Sequence, residues 1–198
     1  MRPFTTLTGI AIPLGQANID TDIIMPARWL KHVTRSGLGI GAFEALRADP
    51  ANIFDSPRNK GAPILIAGRN FGCGSSREHA CWALADLGVR CIIAPDFADI
   101  FAGNAVKNGI LLVELPEAAI AQLLRAAASE EITVDLHAQT VTSASVAPQS
   151  FNIDPFRRKC LLEGLDDIDL TLAEADYIDM FEAKRAETRP WAEIQARQ

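Results

Sequence analysis

The amino-acid sequence predicts an α/β fold in which helices pack on a largely parallel β-sheet. Two short apolar runs, at residues 64–67 and 91–94, have the uniform hydrophobicity of strands that are buried on both faces, and residues 110–115 indicate a third strand. Helical segments alternate with them, at about residues 76–87 and 96–107. This alternation of strands and helices favours a mostly parallel sheet covered by helices.

The elements around this centre are predicted from shorter signals. Residues 5–12 alternate loosely and indicate one strand, and residues 131–136 and 140–146 indicate a hairpin. Asp96 is expected to cap the second helix of the centre, and Gly88 to end the first. A further helix is expected to follow Pro116.

A helical arm is predicted at the C-terminal end. Asp154 followed by Pro155 is typical of a helix start, and Gly164 of its end. Thr171 and Glu174 have the spacing of a capping box, which predicts the start of a long last helix. The sequence therefore divides into a domain at residues 1–165 and a C-terminal helical extension at residues 166–198.

Composition excludes several classes of protein. Hydrophobic residues make up 48% of the 198 residues and charged residues 22%, as in a globular protein with a sizeable core. The net charge of −6 comes without a basic stripe, so a nucleic-acid partner is not expected. No apolar run approaches the ~20 residues of a membrane span, and the first residues do not resemble a signal peptide. We expect a cytoplasmic protein with no membrane partner.

The four cysteines do not form a metal-binding pattern. Cys73, Cys81, Cys91 and Cys160 are scattered, whereas iron–sulfur sites usually draw on a tight cysteine cluster. We therefore expect reduced thiols and no metal on this chain.

A glycine-rich loop carries the strongest chemical signal. Residues 68–79 read Gly-Arg-Asn-Phe-Gly-Cys-Gly-Ser-Ser-Arg-Glu-His and join a predicted buried strand to a helix. The free N–H groups and positive dipole end of that helix favour an anion. Arg77 can hold a carboxylate with two hydrogen bonds, and the same positive groups can stabilise an alkoxide on Ser75. Alternatively, Ser75 and Glu78 form a capping box, which explains the serine without function.

A second polar segment precedes a run of cationic residues. Residues 18–26 read Asn-Ile-Asp-Thr-Asp-Ile-Ile-Met-Pro, and their carboxylates suit a cation, a helix cap at Pro26, or a turn that orders the next loop. Lys31, His32 and Arg35 then precede a glycine-rich run. They either contact an acidic ligand or are merely solvated.

These motifs resemble a known family. Residues 18–26, 70–79 and 154–157 are similar to the small subunits of 3-isopropylmalate dehydratases, in the aconitase superfamily. Residues 92–109 and 160–168 extend the likeness to nearly the whole chain. The resemblance implies a swivelling β/β/α domain. It also implies a heterodimer with a large subunit that carries a [4Fe-4S] cluster and its cysteine ligands.

The resemblance also implies roles for individual residues. Ser75 would remove the carbon-bound proton of a small hydroxy-dicarboxylate, and Ser76 and Arg77 would hold a substrate carboxylate. Arg35 is similar in placement to a substrate-binding arginine of the aconitase swivel domain. Leu30 lies in a segment, residues 29–35, that would close over the ligand and select its side group. The reaction would interconvert 2-isopropylmalate and 3-isopropylmalate in leucine biosynthesis.

Two departures from the family pattern keep alternatives open. Cys81 stands where the family usually has proline, and residues 103–106 read Gly-Asn-Ala-Val where the family often has Asn-Asn-Cys-Phe. Neither touches the Ser75 motif, but they leave open a paralogous hydro-lyase that acts on citraconate, 2-methylmalate or a homoaconitate-type acid. A non-catalytic anion-binding module is the alternative from another functional class.

Overall fold

Two four-stranded sheets form the framework of residues 1–164, the first of two compact units; the second begins at Leu165. The computed structural model describes residues 1–75 and 77–192. The described strands, in chain order, are β1 Thr6–Gly9, β2 Ala11–Pro13, β3 Ile64–Ile66, β4 Cys91–Ala94, β5 Leu111–Glu114, β6 Ile132–Asp135, β7 Thr140–Thr142 and β8 Gln149–Ser150.

The predicted parallel sheet is confirmed. Strands β2, β3, β4 and β5 lie side by side in that order, and each neighbouring pair is parallel. The other sheet is antiparallel, in the order β1, β6, β7 and β8, and it contains the predicted hairpin as β6 and β7.

The single strand predicted for residues 5–12 is wrong, because the chain changes sheets at Ile10. Before it, β1 pairs with β6 and alternates between exposed and half-buried positions. After it, Ala11 and Ile12 are buried and pair with β3. The loose alternation at residues 5–12 therefore arises because two short strands in different environments follow each other in the sequence.

Eight α-helices complete the described part of the chain. In the first unit they are α1 Thr21–Ile24, α2 Glu44–Arg47, α3 Glu78–Leu87, α4 Asp99–Lys107, α5 Glu117–Ala126 and α6 Pro155–Glu163; in the second they are α7 Asp167–Leu172 and α8 Ala175–Thr188. Short 3-10 turns occur at Ala27–Lys31, Leu38–Ile40 and Pro190–Ala192. None of the described helices is both long and apolar enough to span a membrane.

The ends of α3 and α6 were predicted correctly from glycine residues. Gly88 and Gly164 follow α3 and α6 in the left-handed conformation, as predicted. The Asp154 carboxylate caps α6 by accepting a hydrogen bond from the Arg157 N–H at 2.9 Å, also as predicted.

Two predicted helix starts are wrong. Helix α4 begins at Asp99 and not after a cap at Asp96, whose carboxylate accepts a hydrogen bond from another loop. In the second unit the capping box is formed by Asp166 and Asp169 at the start of α7, and Thr171 lies inside that helix. The same short motif suits several local structures, and tertiary contacts select among them.

The parallel sheet is buried between two apolar layers, which confirms the β/β/α arrangement. One cluster joins one face of β2–β4, through Ile12, Leu65 and Ile92, to helices α1–α4. The other joins the opposite face, through Ile64 and Ile93, to α5, α6 and the inner side of the antiparallel sheet. Burial on both faces explains why these strands are uniformly apolar.

Gly72 is a point where the packing excludes any side chain. Its φ is +77°, and a Cβ atom there would overlap the ring of Phe101. That ring is fully buried and packs edge-on against Phe71. Gly61 has a similar φ of +74°, but a Cβ atom there would meet nothing within 4 Å.

We predict that Gly72→Ala lowers the free energy of unfolding far more than Gly61→Ala. Both changes force alanine into the left-handed region, at about 1–2 kcal/mol. Only Gly72→Ala also overpacks the core, which adds roughly 1–3 kcal/mol. Urea unfolding of the two variants measures the difference. Equal losses of stability would show that the ring of Phe101 moves aside freely.

Candidate active site

The glycine-rich loop, residues 68–75, follows β3 and lies at the carboxyl edge of the parallel sheet. On one side it binds the segment that follows β2. The Asn18 N–H donates to the Arg69 carbonyl at 2.8 Å, and the Gly72 N–H donates to the Ile19 carbonyl at 2.8 Å. The glycine-rich loop therefore packs directly on residues 18–26, the other segment with predicted functional residues.

On its other side the loop binds the segment that follows β4. The Asn70 N–H donates to the Asp96 carboxylate at 2.7 Å, and the Phe71 N–H donates to the Asp96 carbonyl at 3.3 Å. The Ala98 N–H in turn donates to the Phe71 carbonyl at 3.0 Å. Asp96 therefore holds this loop, where the sequence had suggested a helix cap.

Thr21 connects the start of α1 to the end of the loop. Its hydroxyl donates to the Ser75 carbonyl at 2.9 Å, and its backbone N–H donates to the Cys73 carbonyl at 3.0 Å. The Asp20 carboxylate caps α1 by accepting from the Ile23 N–H at 2.7 Å. The Asp20 carboxylate therefore acts as a helix cap, and Thr21 holds the glycine-rich loop and not the loop that follows residue 26.

The helix that carries this cap differs from the one expected. Asp20 caps α1 at Thr21–Ile24, whereas residues Ala27–Lys31 after Pro26 form a 3-10 turn whose start has no side-chain cap.

Ser75 does not cap α3. The helix begins at Glu78, and its N-cap residue is Arg77, which is extended at φ −127° and ψ 140° and provides no side-chain cap. The Glu78 carboxylate accepts from Trp82 Nε1 at 3.2 Å and from Asn108 Nδ2 at 3.0 Å. Ser75 is exposed, and its hydroxyl makes no hydrogen bond to any residue that the structure describes. The capping explanation for this serine is therefore wrong.

Arg77 presents a guanidinium group that is largely unengaged. Its side chain is 46% exposed, and Nη1 lies 4.0 Å from Oδ1 of Asp22, which is more exposed still. An exposed ion pair at that distance holds the side chain weakly. Arg77 is thus available to an anion at the same loop end as Ser75. Ser76, the third residue predicted here, lies outside the described residues.

The segment at residues 29–35 is anchored at its start. Trp29 packs against the core, and its Nε1 donates to the Glu44 carboxylate at 2.9 Å. Leu30 is only half-buried, and Val33 is 92% exposed. Trp29 and Leu30 are both half-buried, but of the two only Trp29 packs against the core cluster.

The end of this segment lies against α3. Nη2 of Arg35 is 3.7 Å from Oε1 of Glu78, and its guanidinium lies 5.2 Å from the centre of the Trp82 ring. Nε2 of His79 lies 3.2 Å from the carbonyl oxygen of His32 and links the two elements. Arg35 therefore lies beside the first residue of α3, close in sequence to Ser75 and Arg77.

The described donor set does not fit an iron–sulfur cluster. Among residues 1–75 and 77–192, no three His, Cys, Asp or Glu side chains are grouped for a metal. Burial, with the charge of Glu78 adding to it, raises the pKa of Cys81 to about 12, and burial raises the pKa of Cys91 as well. Cluster ligands are thiolates, which these environments disfavour.

Family models match both ends of the chain. The model of the aconitase C-terminal domain matches residues 1–118. A second model, which describes the C-terminal domain of the 3-isopropylmalate dehydratase small subunit, matches residues 167–194.

Relatives of nearly the same length agree with these matches. The chain is 59% identical to the 3-isopropylmalate dehydratase small subunit of Novosphingobium aromaticivorans, over 96% of this chain and 95% of the relative. It is 56% identical to the protein of the same name from Zymomonas mobilis, over 96% of this chain and all of the relative.

A solved structure shares the fold. The 3-isopropylmalate dehydratase (leuD) of Methanocaldococcus jannaschii superposes with a TM-score of 0.64 at 20% identity, over 89% of this chain and 99% of that one. With the match of the aconitase domain and the close relatives, the chain belongs to the family of 3-isopropylmalate dehydratase small subunits.

Proposed function

We propose that this chain is the part of a 3-isopropylmalate dehydratase that provides the base and holds a substrate carboxylate. The enzyme interconverts 2-isopropylmalate and 3-isopropylmalate by loss and addition of water, in leucine biosynthesis in the cytoplasm. The proposal rests on one observation. Ser75 and Arg77 are exposed at the end of a loop that is otherwise tightly hydrogen-bonded, and neither side chain is needed to cap α3.

Ser75 is the base in this proposal. As an alkoxide it accepts the proton from the substrate carbon, and the electron pair of that C–H bond forms the alkene, which keeps both carboxylates. The hydroxyl on the neighbouring carbon leaves as hydroxide, which the cluster of the large subunit would accept as a Lewis acid. A serine alkoxide requires nearby positive charge. The Arg77 guanidinium and the amino end of α3 provide such charge at this loop.

Arg77 holds a substrate carboxylate, since its planar guanidinium can donate two parallel hydrogen bonds. Its weak contact with Asp22 at 4.0 Å is replaced at little cost. We assign Ser76 to the same carboxylate. Arg35 is proposed as a second cation for the substrate, released from Glu78, from which it is 3.7 Å away.

The [4Fe-4S] cluster is assigned to a large subunit, so the active form is a heterodimer. This assignment rests on the chemistry of the donors. Cys81, Cys91 and Cys160 are buried, and only Cys73 is partly accessible among the cysteines. A site that exposes a base and a cation, with no group of metal ligands among the described residues, is suited to completion by another chain.

We propose isopropylmalate as the substrate, and not one of the paralogous acids, because the main departure from the family pattern lies away from the site. Cys81 is fully buried inside α3 and packs in the core. Replacing the family's usual proline there alters the interior of a helix and leaves Ser75 and Arg77 exposed.

Leu30 is proposed to contact the variable group of the substrate. Ser75 and Arg77 act on groups that all such substrates share, so discrimination needs a second surface. The half-buried Leu30 follows the anchored Trp29 and precedes the exposed Val33. An apolar side chain there suits an isopropyl group, for which one methylene is worth ~1–3 kcal/mol.

We predict that Ser75→Ala lowers kcat by roughly 10²–10⁴-fold, with a much smaller effect on KM, because the base is lost. Ser150→Ala, which removes another exposed serine hydroxyl on β8, is the control and should leave kcat unchanged. Initial rates of the reconstituted heterodimer measure both. Near-normal turnover of the Ser75→Ala enzyme would refute the role of base.

We predict that Leu30→Arg shifts the ratio of kcat/KM toward a substrate with an additional carboxylate, because it adds a cation where an apolar group binds. Ile40→Arg adds the same charge at an apolar position that is 73% exposed and lies outside residues 29–35. It should not change the ratio. An unchanged ratio for a correctly assembled Leu30→Arg heterodimer would contradict the assignment.

A further inference from the structure

We propose that Thr21 is a positioning residue that fixes the main chain of Ser75 for proton abstraction. This inference rests on the proposed role of Ser75 as the base. It assigns to the Asp-Thr-Asp segment at residues 20–22 a function that the sequence did not indicate.

The Thr21 hydroxyl has an environment that makes its hydrogen bond important. Thr21 is 4% exposed, although most threonines lie at the surface. A buried hydroxyl must be paired, and this one donates to the Ser75 carbonyl at 2.9 Å across 54 positions of sequence. Removing it leaves the Ser75 carbonyl without this donor at the end of the loop.

A second hydrogen bond from Thr21 holds the loop at another point. The Thr21 N–H donates to the Cys73 carbonyl at 3.0 Å, and the short stretch between the two fixed carbonyls contains Gly74 at φ +83°. A Cβ atom at Gly74 would meet Thr21 Oγ1 only at the ordinary van der Waals distance of 3.9 Å, so the positive φ and not the space around it favours glycine there. With the Cys73 and Ser75 carbonyls both held, the Ser75 hydroxyl is left mainly with rotation about its own χ1.

Thr21 is itself held rigidly, as a positioning residue must be. It is the first residue of α1, directly after the capping residue Asp20. Its carbonyl accepts from the Met25 N–H at 2.8 Å, and the preceding Ile19 is fully buried and accepts from Gly72. The position of Ser75 is thus tied to a packed element of the core.

Thr21→Val should therefore impair the reaction through Ser75. Valine has nearly the same shape but no hydroxyl, so the Ser75 carbonyl is released while the packing is kept. A displacement of about 1 Å at a reacting group costs on the order of 10²-fold in rate. We expect kcat to fall by roughly 10–100-fold with little change in KM. Thr21→Ser keeps the hydroxyl and should restore most of the rate.

The test is a double-mutant cycle in the reconstituted heterodimer, with 2-isopropylmalate as substrate. If Thr21 acts through Ser75, Thr21→Val should cost far less in a Ser75→Ala background than in the native chain. Thr8→Val is the control. It removes an exposed threonine hydroxyl that lies 2.9 Å from the hydroxyl of Thr133, and both residues are on the antiparallel sheet, away from Ser75. It should leave kcat unchanged.

Two results would overturn the inference: a Thr21→Val enzyme with native kcat, or equal losses from Thr21→Val with and without Ser75. Thermal unfolding and heterodimer assembly of Thr21→Val and Thr21→Ser are measured in parallel. If Thr21→Val fails to fold, a Thr21→Ser enzyme with native kcat supports the inference, and one as impaired as Ser75→Ala contradicts it. A native heterodimer inactive on 2-isopropylmalate would refute the proposed function instead.

Discussion

The glycine-rich loop at residues 68–75 is held from both sides by main-chain hydrogen bonds at the carboxyl edge of the parallel sheet. The segment after β2 binds it through Asn18 and Ile19, and the segment after β4 binds it through Asp96 and Ala98. These contacts exist because β2, β3 and β4 are adjacent and parallel, so that their carboxyl ends meet. The exposed Ser75 and Arg77 lie at the end of this fixed loop, and the chemistry proposed for them depends on it.

This constraint also explains how the proposed base can be both exposed and well positioned. The main chain on either side of Gly74 is held, while the Ser75 and Arg77 side chains face outward and pair weakly or not at all with described residues. A complete active site within one chain would usually bury its reacting groups. Exposed groups on a rigid loop are instead suited to a second chain that supplies the remaining walls of the site.

The strands were predictable because burial on both faces leaves a strong pattern, as in Ile64–Ile66 and Cys91–Ala94. Ser75 and Arg77 are proposed as site residues because their loop has an unusual density of glycine and polar residues. The hydrogen bonds of Asp96 and Thr21 were not predictable from local sequence. Their partners, Asn70 and Ser75, lie 26 and 54 positions away, and become neighbours only through the order of the strands.

We propose that this chain provides the base and a carboxylate site, and that another chain provides the cluster. The most direct measurement is iron content and 2-isopropylmalate turnover for this chain alone, for the large subunit alone and for their mixture. We predict no stoichiometric iron on this chain, no turnover by either chain alone, and turnover by the mixture. A stoichiometric iron–sulfur cluster on this chain, or turnover without the large subunit, would contradict the account.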